Sequence, residues 1–393
     1  MSKVDALLLL SICVGAFIMP FICKRLSIPS AVGEILFGLG VGLFFKEAFH
    51  KTTIIKFLGE LGFILLMYLA GLEIDFEKIK ITPRKELILY VTMVVVMVIL
   101  SIGAAYVYGL SPLYGLIFFT TAIGLLFPVL KETGLLEKDT GQMLLIIGSI
   151  GEVVSLLGIT VFILYYRSGF SWESLVHLGE MGAFILLAYI IYKLFRLVVW
   201  WYPGLVRPFL HGGDPTESSI RANFVNMFVF VALAALLHME LIIGAFLGGM
   251  AYAVIFKRRA EIQHRMGSFA YGFLIPVFFI EAGLRFDIKD FLDLQVVVMA
   301  LVIAFLIFAV RIAASLVFLW SNLTLMEIII VPVSTSFPLT LLAAIATFGI
   351  EQQIIPRDQA ASILLAALLT ALIYPVLLKK IIRAMERPPD LGT

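Results

Sequence analysis

Charge is scarce in this chain, and the residues that build metal centres and covalent cross-links are scarcer still. Only 14% of the 393 residues are charged. Two cysteines, Cys13 and Cys23, lie in or beside the first apolar run and are too few for a disulfide framework or a thiolate cluster. Five scattered histidines (His50, His177, His211, His238, His264) show no metal-ligand spacing. Net charge is +2 and no basic block occurs, so nucleic acid is not an expected partner. An intramembrane protease is disfavoured by missing parts: there is no His-Glu-x-x-His motif, no aspartate near the centre of an apolar run, and no histidine clearly deep enough for a serine dyad. No enzyme activity and no cofactor are expected.

What the chain has is apolar length. It is 62% hydrophobic, with a mean hydropathy of +1.08, which is the composition of a polytopic protein in a lipid bilayer. Hydropathy places thirteen transmembrane helices, at Val4 to Cys23, Pro29 to Phe45, Ile54 to Leu72, Leu87 to Tyr108, Leu113 to Leu130, Met143 to Tyr165, Leu175 to Trp200, Phe224 to Leu237, Leu241 to Phe256, Phe269 to Leu284, Val296 to Trp320, Ile328 to Phe348 and Ala360 to Ile382. The second, eighth, ninth and tenth are short and are expected to pack against neighbours or tilt little. The first run ends at Lys24-Arg25 with no small-residue cleavage site, so it is expected to remain as a span. With thirteen spans the termini face opposite sides. Placing the C-terminus inside puts twenty lysines and arginines on the cytoplasmic side against eight outside, which predicts N-out, C-in in the cytoplasmic membrane.

The sequence repeats itself. Ala70-Gly71-Leu72 with Asp75 recurs as Ala282-Gly283-Leu284 with Asp287, an offset of 212. Gly33, Leu36 and Gly38 recur as Gly244, Leu247 and Gly249, offset 211, and Phe127-Pro128 recurs as Phe337-Pro338, offset 210. Three matches in one order at one offset make an internal repeat. The expected organisation is therefore an all-α protein of two six-helix copies, residues 1–168 and 219–387, joined by a linker helix and loop at 169–218 and followed by a short cytoplasmic tail at 388–393. Because one span intervenes, the second copy starts on the opposite face, giving inverted topology.

One carboxylate stands out. Glu152 lies in the middle of the sixth apolar run, ~15 Å below its start at ~1.5 Å per residue, which is about half the hydrocarbon thickness. An acid at that depth costs several kcal/mol and normally faces a bundle interior or an ion path. Two spans carry matched prolines preceded by hydroxyls. Pro128 follows Thr120 and Thr121, and Pro338, with Pro332 before it, follows Ser334, Thr335 and Ser336. Prolines free backbone groups that must find partners at membrane depth, so two helices broken at matching places predict a midplane ion site. Ser149 and Ser155 flank Glu152 and join the expected supporting set. Arg311, about 16 Å from the end of its run, is too deep to snorkel. Arg311 is expected to face an acid or a broken-helix carbonyl; it and Glu281 are the candidate charge partners, Arg311 can neutralise the site of Glu152 or pair with Glu281, and the sequence leaves both open. Glu34 is expected to snorkel toward the Lys24-Arg25 face, and Glu73 and Asp75 to be solvated.

These residues carry a resemblance. Pro29-x-x-x-Gly33-Glu34-Ile35-Leu36-x-Gly38, Leu69-Ala70-Gly71-Leu72-Glu73-Ile74-Asp75, Gly244-Ala245-Phe246-Leu247-x-Gly249 and Pro276-Val277-Phe278-Phe279 through Gly283-Leu284-x-x-Asp287 resemble the monovalent cation/proton antiporter superfamily. The similarity is greatest to the branch of bacterial sodium/proton exchangers and glutathione-gated potassium efflux systems. The resemblance implies two crossed discontinuous helices, a homodimer, and elevator-like alternating access, with Glu152 as the ion-binding acid and Arg311 as the basic residue of the eleventh helix. Two departures are visible: the family usually has two adjacent polar residues where this chain has Gly151-Glu152, and the basic residue is arginine, as in electroneutral members. The chain carries no counterpart of the potassium systems' cytosolic nucleotide-binding domain, so gating by nucleotide or glutathione within the same polypeptide is not expected; a separate regulatory subunit stays an open question.

The expected activity is exchange of protons for Na+ or K+, serving pH homeostasis. A single carboxylate holds either a proton or a cation, which predicts electroneutral 1:1 exchange, with hydroxyls and carbonyls completing an all-oxygen shell around a transient Na+ or K+ at Glu152. The alternative is a sodium-coupled solute or anion symporter of the same inverted-repeat architecture.

Overall fold

Apolar runs fold as helices here because a bilayer offers backbone N–H and C=O groups no partner but one another. The computed structural model describes residues 3–26, 28–74, 76–168, 172–201, 218–237, 239–255, 259–286, 288–321 and 323–386, and every regular element among them is helical. Asp75, Asp287, His238, residues 169–171 and 202–217 of the linker region and the 388–393 tail lie outside the described residues. Nine helices among the described residues are long and apolar enough to cross a membrane. Three shorter apolar helices, Ser30–Phe45, Gly182–Leu194 and Leu241–Ile255, fall within the expected second, seventh and ninth spans. The expected fifth span consists of two short helices with an irregular stretch between them.

In chain order the helices are α1 (Lys3–Leu26), α2 (Ser30–Lys51), α3 (Ile54–Glu73), α4 (Phe76–Ile81), α5 (Arg84–Val107), α6 (Pro112–Phe119), α7 (Leu126–Glu132), α8 (Asp139–Ser168) and α9 (Trp172–Trp201). They continue as α10 (Ser218–Leu236), α11 (Leu241–Ile255), α12 (Arg259–Phe269), α13 (Ile275–Leu284), α14 (Leu294–Ser315), α15 (Leu325–Thr335), α16 (Leu339–Glu351) and α17 (Arg357–Glu386). The chain forms two compact units, one of Met1–Thr52, Glu77–Phe162 and Phe279–Thr393, the other of Thr53–Phe76 and Ile163–Phe278.

In the second unit α3 and α11 meet backbone to backbone. A Cβ on Gly71 would stand 2.2 Å from the Phe246 carbonyl oxygen, and one on Gly249 only 2.1 Å from that of Tyr68. No side chain fits there, which is how small residues let helices associate where apolar burial gives little drive. Beside this crossing the Tyr68 hydroxyl donates to Asn223 Oδ1 (2.8 Å) and accepts from Asn226 Nδ2 (3.1 Å), and Asn226 also donates to the Gly248 carbonyl (2.9 Å). Polar groups in a dry core are thereby paired and tie α3, α10 and α11 together.

The first unit repeats the device. A Cβ on Gly38 would lie 2.0 Å from the Ile280 carbonyl oxygen, and one on Gly283 2.1 Å from that of Ile35, so α2 and α13 are in backbone contact. The α1–α2 contact corrects one expectation: Glu34 does not snorkel but is buried, with 4% of its surface exposed. Gly33 has no side chain to keep Cys23 away, its Cβ position being 2.2 Å from the Cys23 Sγ, and the close approach covers the carboxylate. On α1 the large side chains Leu10, Phe17 and Phe21 are exposed, as the lipid-facing side of a span would be.

Local signals set the helix ends around the site. Ser111 precedes Pro112, which starts α6 where a missing N–H costs nothing. Asp293 caps α14 by accepting from the Gln295 amide at 2.9 Å. Thr324 and Glu327 form a capping box at the start of α15, and Thr140 of α8 also donates to Glu327 Oε1 at 3.0 Å.

Candidate ion-binding site

All of the site lies in the first unit. Two spans are interrupted within it. The chain leaves helical geometry between α6 and α7, at residues 120–125, and between α15 and α16, at residues 336–338. Pro338 stands at the second interruption, capping α16. Pro128 does not mark the first: its backbone is the third residue of α7, and the break precedes it. A proline in the first turn of a helix removes no intrahelical hydrogen bond, so it starts α7 rather than breaking it. Pro332 sits inside α15.

Breaking a helix leaves carbonyls at the end of one half and amides at the start of the other. The carbonyls meet Arg311. From α14, fully buried, it donates through Nη1 to the Phe118 carbonyl (2.7 Å), through Nη2 to the Thr120 carbonyl (2.5 Å) and through Nε to the Thr335 carbonyl (2.9 Å), and also to Ile307 of its own helix (2.8 Å). One guanidinium thus closes the C-terminal ends of both half-helices, α6 and α15, where the helix dipole is negative. Its fork of donors suits several acceptors at once, which a point charge does not.

The amides meet Glu152. Its carboxylate, with no exposed surface, accepts from the Ile123 amide through Oε2 at 3.3 Å. The Thr121 amide donates to Ser155 Oγ at 2.8 Å, and that hydroxyl donates in turn to the Gly151 carbonyl at 2.7 Å. The other carboxylate oxygen of Glu152, Oε1, has no hydrogen-bond partner among the described residues. A buried carboxylate oxygen without a donor is costly, so this is where a proton or a cation gains most.

Gly151 now has a reason. A Cβ there would lie 2.9 Å from the Thr121 Cβ, so the position that lacks a second polar group is the space that lets the break lie against α8.

The seven expected hydroxyls all reach the interrupted region or the acid's helix, and each donates to a backbone carbonyl two to four residues earlier. Thr120 bonds Leu116, Thr121 bonds Phe119, Ser149 bonds Leu145, Ser155 bonds Gly151, Ser334 and Thr335 both bond Val331, and Ser336 bonds Pro332. Their protons are committed to local bonds, and their oxygens remain as acceptors.

Of the two partners open to Arg311, an acid or a broken-helix carbonyl, the structure shows the second. Among the described residues Arg311 pairs with no carboxylate; its bonds go to carbonyls. Glu281 ion-pairs with Arg285 one turn along, at 2.5 Å, and Arg285 also binds Glu351. Position four residues apart at a helix end makes Arg285 the nearer cation, so Glu281 does not partner Arg311. Burial works against the Arg285 charge, but the two carboxylates beside it outweigh burial and raise its pKa above the ordinary value.

The sequence reading missed Thr340, which is 98% buried beside the two breaks with its hydroxyl oxygen unpartnered among the described residues. Its position just past Pro338, as the next hydroxyl after Ser336, was the available signal.

Comparison with known proteins gives a consistent picture. A family profile described as "Sodium/hydrogen exchanger, transmembrane" matches residues 13–384. YjbQ of Bacillus subtilis, named as a candidate Na+/H+ antiporter, is 28% identical over 422 residues, covering 100% of this chain and 66% of its own, so this chain spans just under two thirds of that relative. The Na+/H+ antiporter NhaS5 of Synechocystis is 26% identical over 398 residues, covering 96% of this chain and 54% of its own. The Na+/H+ antiporter of Enterococcus hirae is 26% identical over 275 residues, 69% of this chain and 70% of its own. In fold, the chain resembles the sodium proton antiporter MjNhaP1 of Methanocaldococcus jannaschii, with a TM-score of 0.69 over 97% of both chains at 16% identity.

Proposed function

The chain belongs to the sodium/hydrogen exchanger family, a family of transporters rather than enzymes, and from that membership we propose that it exchanges protons for Na+ or K+ across the cytoplasmic membrane at Glu152. The observation that carries this reading is the unpartnered Oε1 of a fully buried carboxylate, set against the amides of an interrupted helix. A proton and a cation neutralise the same charge there, so they occupy the site by turns. Arg311 is engaged with four carbonyls and stays charged throughout, leaving Glu152 as the group that changes state. One such group supports electroneutral 1:1 exchange. The symporter alternative finds no support among the matches.

The architecture we propose with it is thirteen spans in two inverted six-helix copies with crossed discontinuous helices, working as a homodimer by elevator-like alternating access, N-terminus out and C-terminus in. The glycine contacts support the repeat. The repeat pairs Gly38 with Gly249 and Gly71 with Gly283, and in each backbone crossing one glycine comes from each copy: Gly38 with Gly283 on α2 and α13, Gly71 with Gly249 on α3 and α11.

The test is reconstitution into proteoliposomes with an imposed pH gradient, challenged in turn with Li+, Na+, K+ and Rb+, with and without an ionophore that collapses the membrane potential. Cation-evoked proton movement that the ionophore does not change is the expected result. Loss of this response in Glu152→Gln assigns the site; a fully active Glu152→Gln removes it.

A further inference from the structure

We infer that Thr340 supplies a cation ligand from the second broken helix, through a hydroxyl that no hydrogen bond among the described residues fixes in place. The inference rests on the exchange reading above and adds a residue that sets cation affinity and preference.

Each hydroxyl of the α15 end, Ser334, Thr335 and Ser336, is folded back on its own helix and donates to a carbonyl there. The carbonyl freed at that end, Thr335 O, is occupied by Arg311. The oxygens of the three hydroxyls keep acceptor lone pairs, but their bonds to the helix fix where the hydroxyls point. Across Pro338, Thr340 differs in kind. It is 2% exposed, its Oγ1 has no hydrogen-bond partner among the described residues, and it sits on the first turn of α16. Its Oγ1 and Cγ2 lie 3.8 and 3.3 Å from the position a Cβ on Gly124 would take. Gly124 belongs to the first break, one residue after Ile123, whose amide holds Oε2 of Glu152. Glu152 and Thr340, each with a buried oxygen lacking a partner among the described residues, thus adjoin consecutive residues of the first break, Ile123 and Gly124.

A hydroxyl suits this place because it changes role with the state of the acid. With the carboxylate ionised and the site hydrated, the hydroxyl proton has an acceptor; with a hard cation bound, the hydroxyl rotates and presents a lone pair. A neutral oxygen beside one carboxylate lowers the cost of dehydrating a monovalent ion without adding a second charge to the cycle. The first turn of α16 disfavours a cation by its dipole, so the ligand must come from a side chain and not from this backbone.

The experiment compares wild type, Thr340→Val, Thr340→Ser and Glu152→Gln in proteoliposomes, reading the half-saturating concentrations of Li+, Na+ and K+ and the maximal rates at fixed pH. Valine keeps the shape and removes the hydroxyl. Thr340→Val is expected to raise the half-saturating concentration of the preferred cation by about fivefold, the scale of one lost oxygen contact, and to alter the order among the three ions. Thr340→Ser is expected to stay within about twofold of wild type by the same measure. Detergent-solubilised thermal unfolding of both variants separates a misfolded protein from a ligand effect, and serine failing together with valine overturns the assignment. Unchanged half-saturation and ion order in Thr340→Val, with Glu152→Gln inactive, also overturn it while the exchange reading stands. A fully active Glu152→Gln removes both.

Discussion

Arg311 on α14 donates to the carbonyl oxygen of Thr120 at 2.5 Å, although 191 residues separate them in the chain. The bond closes the end of one interrupted helix, and the same guanidinium closes the other through Thr335. The two breaks are thereby held by a single side chain, and among the described residues that side chain makes no ion pair with Glu152.

Lysine at this position keeps the charge but not the fork. Arg311→Lys cannot reach both half-helix ends with the same geometry. It is expected to lower exchange by about tenfold or more and to reduce thermal stability, since each buried carbonyl left without a donor costs about 1–3 kcal/mol. Initial rates in proteoliposomes and a melting curve in detergent check both; wild-type values in each remove the structural role assigned to Arg311.

Competition at Glu152 has a sign that kinetics can read. Where proton and cation share one carboxylate, the half-saturating cation concentration rises as pH falls, by about tenfold per unit in the fully competitive range, with an unchanged maximal rate. A half-saturation independent of pH, or a maximal rate that falls alone, contradicts a shared seat.

Gly151 makes room for the first break. Gly151→Ala sets a methyl 2.9 Å from the Thr121 Cβ, and overpacking of this kind costs about 1–3 kcal/mol. It is expected to displace the break and cut exchange severalfold. Gly179→Ala is the control, because nothing lies within 4 Å of its added Cβ, and a helical glycine so replaced is stabilising or neutral. Equal behaviour of the two variants counts against the role given to Gly151.

The pairing of Glu281 with Arg285 predicts a part in structure rather than in transport. Glu281→Gln breaks its pair with Arg285 and is expected to lower thermal stability while leaving the half-saturating cation concentration within about twofold of wild type, since a merely structural pair alters the fold's stability and not the site's affinity. A large shift in half-saturation with an unchanged melting temperature assigns it to the ion path instead.

The backbone crossings tolerate no side chain. Gly283→Ala would press a methyl against the Ile35 carbonyl oxygen at 2.1 Å, and a loss of about 3 kcal/mol or more is expected because backbone cannot move aside as a side chain can. Poor recovery of folded protein after solubilisation, compared with Gly40→Ala, whose added Cβ meets nothing within 4 Å, is the measurement.

Membrane residence, helical class and the burial of Glu152 and Arg311 were all legible from the chain alone, because a bilayer imposes one structure on apolar segments and a penalty on every charge within them. The family membership was also within reach, carried by glycine-rich segments whose meaning is close backbone approach. What the chain could not disclose was which polar group meets which. For Arg311 an acid and a broken-helix carbonyl were both open, and the choice fell to the carbonyls of two helices that end beside it. The break near Pro128 lay upstream of the proline, because a proline is compatible with a helix start as well as a helix stop. Thr340 looked like any other threonine until folding brought Gly124 alongside. Hydropathy and depth follow from local sequence, whereas the pairing of buried polar atoms depends on elements far apart in the chain and is decided by their packing.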